Sequence, residues 1–325
     1  MVLKLDIVDR RILYQLDVNS RQSNSSIGKK INSSKQVVGF RLKRFIEKNI
    51  ISFHTVIDIS KLGFTIHKNF LRLQNINQQK EAEIINYLKI HPHVVWVASC
   101  DGMFDLAFGT WARDMAFLDK TLREITKQFG DYIRERQIAT IIRGEYFIRN
   151  YLVESERKQA RESFFGSVPE NVSLDNIDWN IIHSIASNAR VTAVELGTKI
   201  SLSPDAVVRR IKKLEKSGII RHYNITPNES LYPFIHYKVL ISFRNISEER
   251  EQSIITYCRS HKNIVYIVKA LGPWDFEIDI EVASQDIFRK MMMEIKTKFS
   301  DIIKDYSTLH IYQVHKYNFC PSIPE

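Results

Sequence analysis

Residues Leu174–Tyr223 read LDNIDWNIIHSIASNARVTAVELGTKISLSPDAVVRRIKKLEKSGIIRHY. Ile177, Ile181, Ile182 and Ile185 recur at helical spacing behind Asp175, whose carboxylate is placed to cap the helix. A second short helix is predicted over Ala193–Ile200, with Val194, Leu196 and Ile200 apolar. Ser201-Leu202-Ser203 then makes a three-residue turn, and Ser203 caps a third helix, Pro204–Ser217. Proline suits the first helical position, where its missing N–H has no partner to lose. Gly218 accepts the left-handed conformation that stops the helix, and Ile219–Ile225 follows as a short strand. Helix, helix, tight turn, helix and strand is the winged helix-turn-helix plan.

The same stretch occurs earlier in the chain. Leu5–Ile51 aligns without a gap on Leu174–Ile220 at an offset of 169, with 15 identities in 47 positions. Asp9 pairs with Asp178, Asn19 with Asn188, Gly28 with Gly197, Ser34 with Ser203 and Arg41 with Arg210. The first copy therefore has helices from Val8 onward, over Asn24–Ile31 and over Lys35–Lys48, a turn at Asn32-Ser33-Ser34, a stop at Asn49 and a strand from Ile50 to Ile57. The match resumes at offset 170, pairing His91 with His261, Gly102 with Gly272 and Asp105 with Asp275. A whole unit is duplicated, not only its first part.

On the third helices, Val38, Leu42 and Phe45, or Val207, Ile211 and Leu214, share the face that packs on the first two helices. Candidate DNA contacts lie on the other faces. They are Ser34, Lys35, Gln36, Gly39, Lys43 and Arg44 in the first copy, and Ser203, Asp205, Arg209, Lys212 and Lys213 in the second. A cationic face on a rigid helical base neutralises phosphates while its N-terminal residues reach base edges. A basic face on one amphipathic helix is usually just solvated; the cap, turn, stop and repeat together point to double-stranded DNA.

After each helix-turn-helix the apolar period becomes two. Strands are predicted at His67–Leu73, Val94–Ser99, Leu106–Thr110 and Gln137–Ile142, with helices at Gln79–Ile90 and Ala116–Phe129. The second copy repeats this with His236–Phe243, Glu248–Ser260, Ile264–Lys269, Phe276–Val282, Gln285–Phe299 and Ser307–Val314. The order βαββαβ gives a ferredoxin-like layer, so the fold class is α+β: two tandem copies of a winged helix-turn-helix plus a sensing domain. The boundaries are 1–60 and 61–150, a linker over 151–172 that begins as a short helix, then 173–226 and 227–325. The sheet face away from the helices carries Phe70, Trp96 and Phe108 and needs a cover, most simply a second such domain, within the chain or from another chain.

Here the sequence resembles the leucine-responsive regulatory protein / AsnC (feast/famine) family. The residues that carry the likeness are LDNIDWNIIHSIASNAR, SPDAVVRRIKKLEKSGIIRHY and the Gly-x-x-Asp hairpins at Gly102–Asp105 and Gly272–Asp275. The resemblance implies a regulator whose sensing domain pairs with its mate and binds a small effector, typically an amino acid. It would place Gly102, Asp105, Gly272 and Asp275 near that effector. Members usually carry one unit per chain; this chain carries two unlike ones. The same two-part unit also resembles siroheme-type tetrapyrrole decarboxylases, which act through basic and histidine residues of the sensing domain, so an enzyme is the alternative reading.

The formal net charge is +10, with residues 1–60 at net +6 and 227–325 at net −1. The more basic part of each copy is its helix-turn-helix, which suits a polyanionic partner. Met1–Arg11 is too charged for a signal peptide and no apolar run reaches membrane-spanning length, so a cytoplasmic protein is expected. Cys100, Cys258 and Cys320 are too widely spaced for a disulfide framework or a zinc knuckle. Cys100, beside the hairpin, is a candidate redox or ligand contact, although a cysteine so placed is more often small core filler. His91-Pro92-His93 reads as surface histidines. No phosphate loop, cofactor motif or catalytic triad spacing is found, so neither enzyme nor cofactor is expected.

Overall fold

Asp6 and Asp175 open the two copies in the same way: each caps its first helix by accepting the amide of the residue three along, Asp9 at 2.8 Å and Asp178 at 2.7 Å. The computed structural model describes residues 4–154 and 163–321. In the first copy, helices α1 (Ile7–Val18), α2 (Asn24–Ile31) and α3 (Lys35–Glu47) precede strand β1 (Ile51–Ile57). Then come β2 (Thr65–Leu73), α4 (Gln78–Ile90), β3 (Val94–Gly102), β4 (Leu106–Ala112), α5 (Met115–Phe129), β5 (Ile133–Tyr146) and a short β6 (Ser163–Phe165). The second copy has α6 (Asn176–Ser187), α7 (Ala193–Ile200), α8 (Pro204–Lys216) and β7 (Ile220–Pro227). It continues with β8 (Ile235–Phe243), α9 (Glu248–Ser260), β9 (Ile264–Leu271), β10 (Phe276–Val282), α10 (Gln285–Lys298) and β11 (Ile303–Tyr317).

The helix-turn-helix follows the sequence reading closely. Asn32 and Ser201 end the second helices with φ of 54° and 56°, and the hydroxyls of Ser34 and Ser203 cap the third. Gly28 and Gly197 are fixed by close approach: a Cβ there would lie 2.6 Å from the Ser33 carbonyl oxygen and 2.4 Å from that of Leu202. Asn49 and Gly218 take positive φ where each third helix stops. Arg41 reaches back to Asp6 and Asp9, and Arg210 to Asp175 and Asp178, locking third helix to first.

The strand after each third helix does not make a wing within its own unit. β1 pairs antiparallel with β7, from Ile51 opposite Pro227 to Val56 opposite His222. A lone strand leaves a row of amides without partners, and the other copy supplies them. The exchange is reciprocal. Arg21 donates to the Ala189 carbonyl at 2.6 Å and Arg190 to that of Ser20 at 2.5 Å, so the two units clasp each other about a pseudo-twofold axis.

The sensing domains go further. Each has four antiparallel strands, in the orders β3-β4-β2-β5 and β9-β10-β8-β11. β5 then pairs with β9, and β11 with β3. Since β5 also pairs with β2, eight strands close into one barrel with both copies inside a single chain. Closure removes the exposed edges that an open sheet would present. It also explains why the last strands run on past the predicted 142 and 314: the extra residues at those ends pair with the other copy, while those before 137 and 307 pair within their own. Phe70 and Trp96 lie in the interior core as expected, but Phe108 points outward beneath α4 and α5 with Leu106 and Ala112. In the stretch read as a linker, 163–165 form β6 along β5, while the short helix falls on residues outside the described ones. Among the described residues no helix is long and apolar enough to cross a membrane.

Candidate functional site

Both third helices turn their outer faces to solvent. Ser34, Lys35, Gln36 and Lys43 are exposed on α3, and Ser203, Asp205, Arg209, Lys212 and Lys213 on α8; Gly39 is half-buried. Arg44 is less available, because it holds Asp9 at 2.6 Å. The hydroxyls of Ser34 and Ser203 are engaged as caps. Sequence reasoning passed over Phe40, which is 73% exposed in the middle of α3. The alignment held the signal, since Phe40 occupies the position of Arg209.

The hairpin residues have structural work. Gly102 and Gly272 have φ of 128° and 152°, and a Cβ on either would meet a backbone oxygen of the other copy, Thr308 or Ile138, at 2.6 Å. Asp105 accepts the Leu73 amide and Asp275 the Phe243 amide, each at 2.7 Å. The two glycines sit at the seam between copies, and none of the four residues lines the cavity inside the barrel.

That cavity lies inside the barrel under the β1–β7 ribbon, with a volume of about 80 Å³. Its lining includes Val56 and Thr226 from the ribbon, Trp96 and Tyr266 from the walls, and Lys68, Arg149, His236, Lys238, Asp279 and Glu281. The acids come from β10, whose sequence FEIDIEV sends Phe276, Ile278, Ile280 and Val282 to the helices and Glu277, Asp279 and Glu281 inward. At the matching positions β4 has Ala107, Gly109 and Trp111, so the charged wall belongs to one copy. An alternating strand reads as half-solvated, which is why sequence reasoning missed these acids.

Every inward charge has a partner. Lys68 donates to Glu277 at 2.5 Å, Lys238 to Asp279 at 2.7 Å and to Glu277 at 3.2 Å, and Arg149 grips Glu281 through two nitrogens at 2.8 and 2.9 Å. Arg149 also bonds Asp17 of α1 at 2.8 Å, tying the barrel to the first helix-turn-helix. Burial alone would raise the Glu277 carboxyl, yet Lys68 and Lys238 hold it below the usual range. Burial alone would lower His236, but hydrogen bonds to Asp279 and Glu229 lift it to about 9. Buried ion pairs seldom add net stability over apolar packing, so such a cluster in a cavity marks a candidate ligand site.

Two smaller groups resolve differently. His91 is buried rather than on the surface, and it lies with His93 and Glu124 within 4.8 Å of one another. The His91 Nδ1 accepts the His93 amide at 3.2 Å, which puts the proton on Nε2, toward Glu124. His261 accepts the Asn263 amide in the same way, so this histidine is a turn residue in both copies. Cys100 is buried and its thiol is pushed up to about 12 by burial, which makes it core filler.

The family model for a winged helix-turn-helix DNA-binding unit matches twice, at residues 5–52 and 174–221. The transcriptional regulator LrpC of Bacillus subtilis is 31% identical over 114 residues, 35% of this chain and 77% of that protein. The regulator Ptr1 of Methanocaldococcus jannaschii is 35% identical over 121 residues, 37% of this chain and 80% of that protein. The crystal structure of the siroheme decarboxylase NirDL shares the fold over 98% of this chain and 95% of its own, with a TM-score of 0.61 at 12% identity. The repeated helix-turn-helix, its caps and these relatives agree: the chain belongs to the Lrp/AsnC family of helix-turn-helix transcription regulators and carries the family's unit twice.

Proposed function

We propose that the protein is a sequence-specific DNA-binding transcription regulator whose two unlike helix-turn-helix units engage one operator, under control of a small effector. The observation that carries this reading is the exposure of both cationic third-helix faces, with Lys43, Arg209, Lys212 and Lys213 turned to solvent and clear of the barrel. The reciprocal clasp supports simultaneous binding, because it fixes one unit relative to the other. The effector site we favour is the barrel cavity rather than the hairpins, whose aspartates are already bonded to strand amides. A ligand there would touch both the charged wall and the ribbon that joins the DNA-binding units, and so could alter their spacing. The test is recovery of genomic fragments by the full-length protein, with and without a panel of amino acids. Absence of any recovered sequence contradicts the regulator; recovery indifferent to every amino acid contradicts the amino-acid effector.

A second reading is a tetrapyrrole decarboxylase. The full-length likeness to NirDL and the basic and histidine residues in the cavity favour it. Against it stands the acid content of that cavity, where Glu281, Asp279 and Glu229 already hold Arg149, Lys238 and His236, the cations that a polycarboxylate substrate would need. Purified protein that acquires a Soret band on adding an iron tetrapyrrole, and releases carbon dioxide from it, would establish this reading over the first.

A further inference from the structure

The two recognition faces differ in chemistry position by position. Down one face of α3 run Gln36, Gly39, Phe40 and Lys43; the matching residues of α8 are Asp205, Val208, Arg209 and Lys212. Only the lysine is common, and a lysine at this place suits a phosphate, which carries no sequence information. The residues that differ are those able to read bases.

On α3, Phe40 is 73% exposed and Val37 40% exposed, an unusual investment of apolar surface on a helix otherwise flanked by Lys35, Lys43 and Lys48. Apolar side chains in the major groove contact the thymine methyl group, and glutamine pairs with the N6 and N7 of adenine. Gly39 beside them lets the helix backbone approach closely, since a Cβ there would meet only the Asn24 side chain, at 3.3 Å. On α8, Arg209 is exposed and makes no ion pair among the described residues, unlike its neighbour Arg210, which is held by Asp175 and Asp178. A free guanidinium in this position suits the O6 and N7 of guanine. Asp205 lies one turn earlier. A carboxylate on a face that must approach phosphates is electrostatically costly unless it meets a donor, and cytosine N4 is the donor that the major groove offers it.

We propose that the chain reads an operator of two unlike halves: an A·T half recognised by α3 through Gln36 and Phe40, and a half centred on a G·C pair recognised by α8 through Arg209 and Asp205. This rests on the DNA-binding reading and adds to it the base class at each end. The pseudo-twofold clasp then presents two different readers in a fixed order, so one chain has a direction on the duplex.

The test is selection from a pool of randomised duplexes by the full-length protein, run beside Phe40→Arg, Arg209→Lys and Arg209→Phe variants. All three changes are at exposed positions, and unchanged thermal melting checks that the fold is kept. The expected result is a non-palindromic motif with an A·T half and a G·C-containing half. Arg209→Lys and Arg209→Phe should lose preference for one guanine by roughly tenfold or more, leaving the A·T half intact. Phe40→Arg should shift the A·T half toward guanine. A palindromic motif, or base preferences that none of the variants move, overturns the unlike-half proposal while leaving DNA binding in place. No enrichment of any duplex overturns both.

Discussion

Lys68 of the first copy and Glu277 of the second meet at 2.5 Å inside the barrel, the only partner of that lysine among the ion pairs of the described residues, whereas Glu277 also holds Lys238 at 3.2 Å. The pair crosses between copies, and its shape makes the two residues unequal. Removing Glu277 strands the buried Lys68 ammonium and leaves Lys238 with Asp279 alone; removing Lys68 leaves the carboxylate with its second cation. Glu277→Ala should therefore cost about 3–5 kcal/mol of stability. Lys68→Met should cost clearly less, about 1–2 kcal/mol, because it replaces a charge by an apolar chain of similar length. Denaturant unfolding of the two variants checks the order. A Lys68→Met loss equal to or larger than that of Glu277→Ala would contradict the unequal roles.

His236 gives the cavity a pH dependence. Its folded value of about 9 lies above its ordinary 6.5, since bonds to Asp279 and Glu229 outweigh burial. The protonated form is favoured by folding, so its contribution is fully present below pH 6.5 and fades as pH rises through 9. Unfolding free energy should fall over that window by about 3 kcal/mol. In His236→Gln the fall should be absent. Equal slopes in both proteins would show that this histidine is not the titrating group.

At the seam, Gly102 combines φ of 128° with a 2.6 Å approach to the Thr308 carbonyl oxygen. Gly102→Ala adds backbone strain and a clash with the other copy, for a loss of roughly 2–4 kcal/mol. Gly130→Ala serves as a control, since a Cβ there meets only the Thr126 methyl at 3.4 Å. Matching melting temperatures for the two variants would rule out a close contact at this seam.

What the sequence conveyed depended on where the partners lay. The helix-turn-helix is built from contacts within about 45 residues, and its signals are local: Asp6, Ser34 and their counterparts cap, Gly28 and Gly197 permit the turn, and Val38 and Leu42 keep helical spacing. The barrel closes through pairs such as Tyr146 with Tyr266 and Leu309 with Gly102, far apart in the chain, and no local period announces them. The same holds for β1, which reads as a wing until β7 is seen beside it. Phe108 was assigned to the wrong face because alternation gives two faces without saying which one the helices cover. Glu277, Asp279 and Glu281 look like the wet side of a strand; they are dry because the second sheet closes over them.

The central claim is that both third helices touch DNA at once. It is tested most directly by the salt dependence of affinity for a selected operator, comparing the unaltered protein with Lys43→Ala, Arg209→Ala and the double variant. Each single change should weaken binding, and Lys43→Ala and the double variant should both flatten the plot of log affinity against log salt by about one counterion. A double variant with unchanged affinity and unchanged slope would contradict the account.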